Sequence, residues 1–488
     1  MKSSADVAHP GHWLLPSLTH VLWLALLLVM LAQPWRRLMI ASDGDACMHW
    51  RCGEWMLEHR AILRADPFSF TRPGAPSVPK EWLSQIVMAF AARAGNLYGI
   101  AALAALAIAT AFALLHRQLV RAGNDATIAA IVVVLAGWAA SAHWLARPHA
   151  FSFLMAVLWN DAVRRVAQGE RSLRPVIALA ILSALWVNLH GGYLAGFLLL
   201  GAYWLGALLK RDRRTLKRLT VAGVICALAT LVNPTGYRVH AHNFAFLKST
   251  FFKGWLAEYA SIRFDSPDAI GFAVWLAVIF LTLAICRPRV RAGEAVALLS
   301  WTYFALYAAR NIPLLAIFSA PSLAPAWSAW ARRRWPVRLQ RLHDLHWASR
   351  GWPVALTAAA VAILAVPRPT AMPADDWPVD AVRFIRDDPA RFAGKMFNEY
   401  RWGGYLLQAL PQHQVFVDGR ADMYGEEFVK EFDATAGLRT NWPAALEKYD
   451  VSWTLMPRAH RLNQALALLP EWQCVYSNET ACIYWRKR

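Results

Sequence analysis

Asp43-Gly44-Asp45-Ala46-Cys47-Met48-His49-Trp50-Arg51-Cys52-Gly53-Glu54-Trp55 opens a polar stretch, 43–85. It continues through Asp66-Pro67-Phe68-Ser69-Phe70 to Lys80-Glu81-Trp82-Leu83-Ser84-Gln85. The stretch follows directly on the first long apolar run, 14–32, in a chain that is otherwise mostly apolar. Two carboxylates two residues apart lead into a long mixture of charge and tryptophan. A connection between membrane spans has no structural need for so many acids, bases and indoles. Their concentration marks 43–85 as the reaction site expected of an integral membrane enzyme.

Composition supports the bilayer. The 488 residues are 57% hydrophobic and 17% charged, with mean hydropathy +0.30, whereas soluble domains carry about a quarter charged residues. The net charge of +19 would suggest nucleic acid in a soluble protein. Here the basic residues lie in short clusters between apolar runs, which is the signature of membrane topology, so no nucleic-acid partner is expected. The 25 tryptophans suit membrane interfaces.

The run 14–32 approaches a spanning length of roughly twenty residues. It lacks a basic leader and a clear cleavage site, and reads as an uncleaved first span. Further apolar runs lie near 98–115, 127–142, 149–163, 175–189, 192–209, 218–233, 269–286, 293–309, 311–330 and 352–367. Together they predict a polytopic α-helical membrane protein of about eleven transmembrane helices. Every second connection is Arg-rich: 116–121, 164–174, 210–218, 287–291 and 332–350. These five belong in the cytoplasm, and 43–85, 143–149, 188–193, 233–268, 310–311 and everything after about 367 belong on the opposite face. Arg36 and Arg37, at the outer end of the first span, are the exception.

The expected division is a transmembrane domain, 1–367, with a first outer loop at 35–97, followed by a soluble α/β domain, 368–488, on the outer face. Helices are expected over 380–387 and 442–449, and strands at 414–417, 451–456, 474–476 and 483–485. Cys226 and Cys286 fall within apolar runs and read as packing residues. Cys474 and Cys482 flank a turn, and on a short hairpin they could face each other and bridge in an oxidising compartment.

The polar inventory gathers on the outer face. Asp43 and Asp45 are close enough to share a substrate hydroxyl, as general base, or a divalent cation, through hard oxygen ligands. The plainer alternative is that an Asp caps a helix beginning near Ala46. Met48, Cys52, Trp55 and Met56 form one apolar stripe and Trp82, Ile86 and Ala89 a second, as in amphipathic helices lying at an interface. Arg147-Pro148-His149, His190, Arg238 with His240 and His242, and Arg310 stand at the outer ends of spans. Ionisable groups at such depth usually face a cavity, and guanidinium donors suit phosphate oxygens. The alternative is snorkelling to headgroups.

These residues resemble a family. The pattern Asp43-x-Asp45, His49-Trp50-Arg51-x-Gly53-Glu54, Asp66-Pro67-Phe68-Ser69-Phe70 and Glu81-Trp82-Leu83-Ser84 is similar to that of bacterial polytopic GT-C superfamily glycosyltransferases, in a subgroup resembling lipopolysaccharide-core enzymes. Arg147-Pro148-His149, Asn188-x-His190-Gly191-Gly192, Asn233-Pro234-x-Gly236-Tyr237 and Arg310-Asn311-Ile312-Pro313-Leu314 continue the likeness. So do Phe397-Asn398-x-Tyr400-x-Trp402-Gly403-Gly404-Tyr405-Leu406 and Asp418-Gly419-Arg420-Ala421-Asp422. The resemblance covers nearly the whole chain.

It implies a helical membrane core with an acidic site in the first outer loop, and transfer of a sugar from a polyprenyl-phosphate donor to an extracytoplasmic acceptor (glycolipid, polysaccharide or protein). Asp43 and Asp45 would serve as base or as ligands of a divalent cation, Mg or Mn. Arg147, His149, His190 and Arg310 would surround the donor phosphate, and His49, Glu54, Asp66, Glu81 and Trp82 would furnish the substrate loop. Arg36 and Arg37 would lie beside an anionic headgroup. The setting implied is a bacterial inner membrane, with the site and the C-terminal domain in the periplasm. The chain departs in one respect: the second-loop acid that many members carry is not evident, and 143–149 offers bases instead. The alternative function is a lipid or polysaccharide transporter without glycosyl transfer, which needs charged groups along a path through the spans.

Overall fold

Gly123 turns the chain with a left-handed φ of 87°, and Asp125 then starts the helix Ala126–Ala140 by accepting the N–H groups of Thr127 and Ile128 at 2.9 and 3.1 Å. Such caps satisfy helix-end donors that lipid cannot. The computed structural model describes residues 15–33, 35–42, 44–286, 290–348, 351–365, 372–439 and 441–487. Asp43 and the expected boundary at 367/368 lie outside the described residues.

The chain is mostly helical, with one small sheet near its C-terminus. Among the described residues four helices are long and apolar enough to cross a membrane: Trp82–Arg121, Ala126–His143, Pro267–Cys286 and Ala309–Arg334. A fifth arises if Leu18–Leu31 and Trp35–Ala41 form one broken span. Arg174–Leu189, Tyr193–Leu209 and Trp352–Ala365 are apolar but shorter. Two compact units are formed, one from 1–35, 104–236 and 253–366, the other from 36–103, 237–252 and 367–488.

In the first unit the helix Ile312–Arg334 contains Pro321 and Pro325. Each proline deprives the carbonyl four residues earlier of its helical donor. The helix His149–Ala167 supplies substitutes from positions one turn apart. Asn160 Nδ2 donates to Ile317 O and Arg164 Nη2 to Pro321 O, each at 3.4 Å. Two buried indoles are likewise satisfied: Trp159 Nε1 donates to Gly196 O at 2.9 Å and Trp186 Nε1 to Ser152 Oγ at 2.8 Å.

The second unit contains the sheet. Its strands are β1 (Lys395–Asn398), β2 (Val451–Pro457), β3 (Trp472–Ser477) and β4 (Ala481–Arg486), in the order β1-β2-β4-β3. β1 runs parallel to β2, and the crossover between them carries the helices Tyr400–Ala409, Glu426–Ala436 and Trp442–Lys448. The two remaining pairs are antiparallel, with Leu455 opposite Ile483 and Tyr476 opposite Ile483. Phe392 packs on Trp453 and Phe397 on Phe416, with centroids 5.2 and 4.7 Å apart. Helices Val379–Asp387 and Trp442–Lys448 and the three strands at 451–457, 472–477 and 481–486 agree with the sequence reading.

The expected strand at 414–417 is corrected. Val415 makes an isolated bridge with Ser69, and its N–H donates to Phe68 O at 3.0 Å, so its partner is the first loop. Asn398 replaces a ladder: its Oδ1 accepts from Phe416 N and its Nδ2 donates to Val417 O, both at 2.9 Å. The strand that is present, β1, was not anticipated.

The helix Asp45–His59 buries Met48, Cys52 and Met56 and packs on Tyr400–Ala409, so most of its apolar stripe is covered by protein. The approach is backbone to backbone, since a β-carbon on Gly404 would lie 2.3 Å from Gly44 O. The helix Trp82–Arg121 starts beside it and is interrupted at Gly95 and Asn96, where Asn96 takes φ 51°. Arg37, instead of standing apart, pairs through Nη2 with Asp375 and Asp376 at 2.5 and 3.0 Å.

Candidate active site

Asp45 is the first residue of its helix. Gly44 precedes it as a cap with no side chain to offer, so the half-buried carboxylate stands at the helix's positive end. The loop Asp418-Gly419-Arg420-Ala421-Asp422 lies against it. A β-carbon at Gly419 would fall 2.2 Å from Asp45 Oδ1, so only glycine allows this approach without moving the carboxylate.

That loop is braced from behind. Asp418 Oδ1 accepts from Arg420 N and Nε at 3.0 and 2.8 Å, and Tyr424 OH donates to Asp418 Oδ2 at 3.0 Å. Arg420 Nη1 lies 2.7 Å from Asp66 Oδ1. Asp66 in turn accepts from the N–H groups of Phe68 and Ser69, each at 3.1 Å, and from the Ser69 hydroxyl. Asp66 is fully buried in this network, and holds the first loop to the 418–422 loop.

At the end of the 418–422 loop, three segments meet on one carboxylate. Asp422 Oδ2 receives Lys80 Nζ at 2.8 Å and His242 Nε2 at 2.7 Å. Burial alone would raise the Asp422 pKa, but the Lys80 ammonium and the His242 hydrogen bond outweigh it and hold the carboxyl well below the usual range. Lys80 also lies 5.6 Å from the Phe246 ring centroid. Burial pushes His49 down to about 3, and nearby Lys80 adds to this while Asp422 opposes it. The imidazole is therefore neutral, and its 3.9 Å approach to Glu81 Oε2 is a dipolar contact rather than an ion pair. Gln85 Nε2 lies 3.2 Å from His49 Nδ1.

Of the residues expected in the substrate loop, His49 and Glu81 thus come together, with Trp82 next in sequence and half-buried. Glu54 is turned to Arg93, whose Nη2 donates to Oε2 at 2.8 Å. Lys80, Asp422 and Gly419 were not singled out by sequence reasoning as site residues, and His242 was noted only as one of the outer-end bases. Lys80 stood in the opening polar stretch and the 418–422 motif among the stretches quoted for the resemblance, but nothing in their spacing joins them.

The four residues expected at a donor phosphate form a cluster in the other unit. Arg310 Nη1 and Arg147 Nη1 reach the two oxygens of Glu258 at 2.9 and 3.6 Å. Burial opposes ionisation of Glu258, yet Arg310 and Arg147 bring its pKa down to about 2. The His149 ring centroid lies 6.3 Å from that of His143 and 6.2 Å from that of His190. His190 Nδ1 stands 2.8 Å from Ser152 Oγ. Glu258 is the acid that sequence reasoning did not find among these bases.

Among the described residues no three His, Cys, Asp or Glu side chains are arranged to hold a metal ion. Asp422, the carboxylate nearest in type to a ligand, is already neutralised by Lys80 and His242. Any cation there would have to displace an ammonium. The oxygens of Asp45 are of the hard type that Mg and Mn prefer.

No protein-family model and no curated protein matches the chain. Solved structures do. ArnT from Cupriavidus metallidurans bound to undecaprenyl phosphate superposes with TM-score 0.55 at 14% identity, over 95% of this chain and 97% of that one. Its apo state gives 0.57 at 15%, over 96% and 97%. The Archaeoglobus fulgidus oligosaccharyltransferase in complex with Zn and sulfate gives 0.51 at 14%, over 96% and 73%. At such identities the likeness is one of fold. The chain has the fold of these proteins, the GT-C fold that the motif resemblance implied.

Proposed function

From that shared fold we propose that this chain is a membrane glycosyltransferase that moves a sugar from a polyprenyl-phosphate donor to an extracytoplasmic acceptor. The observation that carries this reading is the Asp45 carboxylate at a helix N-terminus, set against Gly419 on a loop that also presents the Lys80–Asp422–His242 cluster. An ionised carboxylate in this position takes the proton of an acceptor hydroxyl. The hydroxyl oxygen bonds to the anomeric carbon, and the bond from that carbon to the phosphate oxygen breaks. The phosphate leaves with the electron pair. We assign Arg147, His149, His190 and Arg310 to the donor phosphate, where fixed guanidinium donors stabilise the leaving charge. Asp43 supports Asp45, and together they are the pair to hold a divalent cation, Mg or Mn, which would supply charge neutralisation. His49, Glu81 and Trp82 frame the site, while Asp66 and Glu54 position it through Arg420 and Arg93.

The proposal extends to topology. Eleven spans of a bacterial inner membrane, with the Arg-rich connections in the cytoplasm, put 35–97 and the domain 368–488 in the periplasm. The sugar is a hexose or a pentose, and the acceptor is a glycolipid, a polysaccharide or a protein. The testing experiment compares wild type, Asp43→Asn and Asp45→Asn in membranes supplied with polyprenyl-phosphate sugars. Loss of transfer by at least 100-fold with unchanged folding is the expected result for Asp45→Asn. Full transfer by both variants would overturn the assignment.

A further inference from the structure

A cavity of about 460 Å³ opens in the first unit, and none of the residues assigned above to catalysis lines it. It lies among the helices His149–Ala167, Ala292–Tyr307 and Ile312–Arg334 and the turn Thr282–Cys286. Three of the Arg-rich connections converge there, contributing Arg164, Arg291 and Arg333, and Glu294 is the one acid in the lining. Glu294 is consumed locally: Arg164 Nη1 lies 3.0 Å from its Oε1, and its Oε2 accepts from Arg291 N at 3.4 Å. The neighbouring acids Asp161 and Glu170 are held by Arg165, at 3.7 and 2.7 Å. Among the described residues, no ion pair involves the side chain of Arg291 or Arg333.

Arg164 is also fixed in place. It donates to Ser322 Oγ at 3.3 Å and to Pro321 O, the carbonyl freed by Pro325. Pro325 therefore gives one guanidinium a fixed seat at the cavity wall. The lining also has apolar side chains, among them Ile285, Val290, Ala326 and Trp330.

We propose that this cavity binds a phosphate-bearing anion through Arg291 and Arg333, with Arg164 as the fixed third cation. Two guanidiniums without a carboxylate on one cavity call for an anion of about two charges, and planar paired donors favour phosphate over a lone carboxylate. Basic pockets between membrane helices take phospholipid headgroups in this way. The apolar side chains suit the acyl end of such a lipid, and a free diphosphate shares the same recognition chemistry. The inference is independent of the glycosyl-transfer reading.

The test uses the full-length protein in dodecyl maltoside, with three probes: cardiolipin, phosphatidylcholine and inorganic diphosphate. Native mass spectrometry counts bound lipid, and calorimetry follows diphosphate. The variant is Arg291→Gln with Arg333→Gln, since Arg164→Gln would also unseat Glu294 and Pro321. The expected result is cardiolipin retained at least fivefold over phosphatidylcholine by wild type, and that preference lost in the double variant while its Tm is kept. Diphosphate binding with the same sensitivity, without a lipid preference, supports the site with a soluble ligand. Equal binding of every probe by wild type and variant, or no binding by wild type, overturns the proposal.

Discussion

Gly419 lies against the carboxylate of Asp45, at a separation that leaves no room for a β-carbon. The contact joins the start of the first-loop helix to a loop near the end of the chain, and it sets where the Asp45 oxygens stand. Gly419→Ala must therefore rotate or push back that carboxylate. Since the obstructing atom is the tip of a side chain, the fold survives. A displacement of about 1 Å at a reacting group costs up to roughly 100-fold in rate. Transfer should fall about 10- to 100-fold in Gly419→Ala at nearly unchanged Tm. A variant as active as wild type would show that Asp45 does not need this position.

Asp422 serves two partners, so its loss leaves both exposed to each other. Breaking a buried charge pair costs about 3–5 kcal/mol. Asp422→Asn should lower Tm clearly, whereas adding Lys80→Met should recover part of the loss. A double-mutant cycle measured by thermal melting checks this. Strict additivity of the two losses would mean that Lys80 and Asp422 do not depend on each other.

His49 gives the protein an acid sensitivity with a definite sign. Its pKa is about 3 when folded and 6.5 when unfolded. Its contribution to stability is complete above pH 6.5 and declines as pH falls from 6.5 toward 3, because the unfolded chain takes up a proton that the folded one refuses. The loss approaches about 1.4 kcal/mol per pH unit. The charged groups facing it are Lys80, Asp422 and Glu81. Melting curves of His49→Gln should fall less steeply than wild type between pH 6.5 and 5. Parallel curves would show that the imidazole is not held neutral.

Cys474 and Cys482 are not register partners in the β3–β4 hairpin, since Cys474 lies opposite Tyr484 and Cys482 opposite Ser477, yet their sulfur atoms are 3.5 Å apart. A bond requires about 2.05 Å, a modest side-chain rotation away. With oxidised glutathione as acceptor, the two thiols lose two protons and two electrons and the glutathione is reduced. Mass spectrometry after alkylation should then show two fewer modified cysteines, both in this hairpin. Closing so short a loop should stabilise by about 2–3 kcal/mol. Persistence of both thiols after oxidation would rule out the pairing.

What the sequence revealed follows from the range of the physics involved. β2 and β4 were legible because buried strands read as local apolar runs, and the 442–449 helix because its period is local. At 414–417 the same reading failed, since an extended apolar run does not reveal whether its hydrogen bonds go to a ladder or to Asn398 and the first loop. β1 is four residues long, too short to show a period. The acids at 43–45 stood out by composition. Lys80, His242 and Asp422 did not stand out as a set, because each is ordinary in its own segment and only folding brings them together. Glu258 was hidden in the same way: Arg147 and Arg310 announced a basic cluster, but the carboxylate between them sits in a long polar connection.

The second unit is assembled from three separated pieces of chain, 36–103, 237–252 and 367–488, and this has a consequence for biosynthesis. Asp66 emerges early from the ribosome and its buried partner Arg420 emerges near the end, so the first loop must wait, unsatisfied, while the intervening helices are inserted. Contacts so distant along the chain form late and slowly. Until then Asp45 has no Gly419 against it and Lys80 no Asp422. A nascent or prematurely terminated chain therefore carries the acidic loop without the parts that aim it. Synthesis as far as the 418–422 loop supplies those parts.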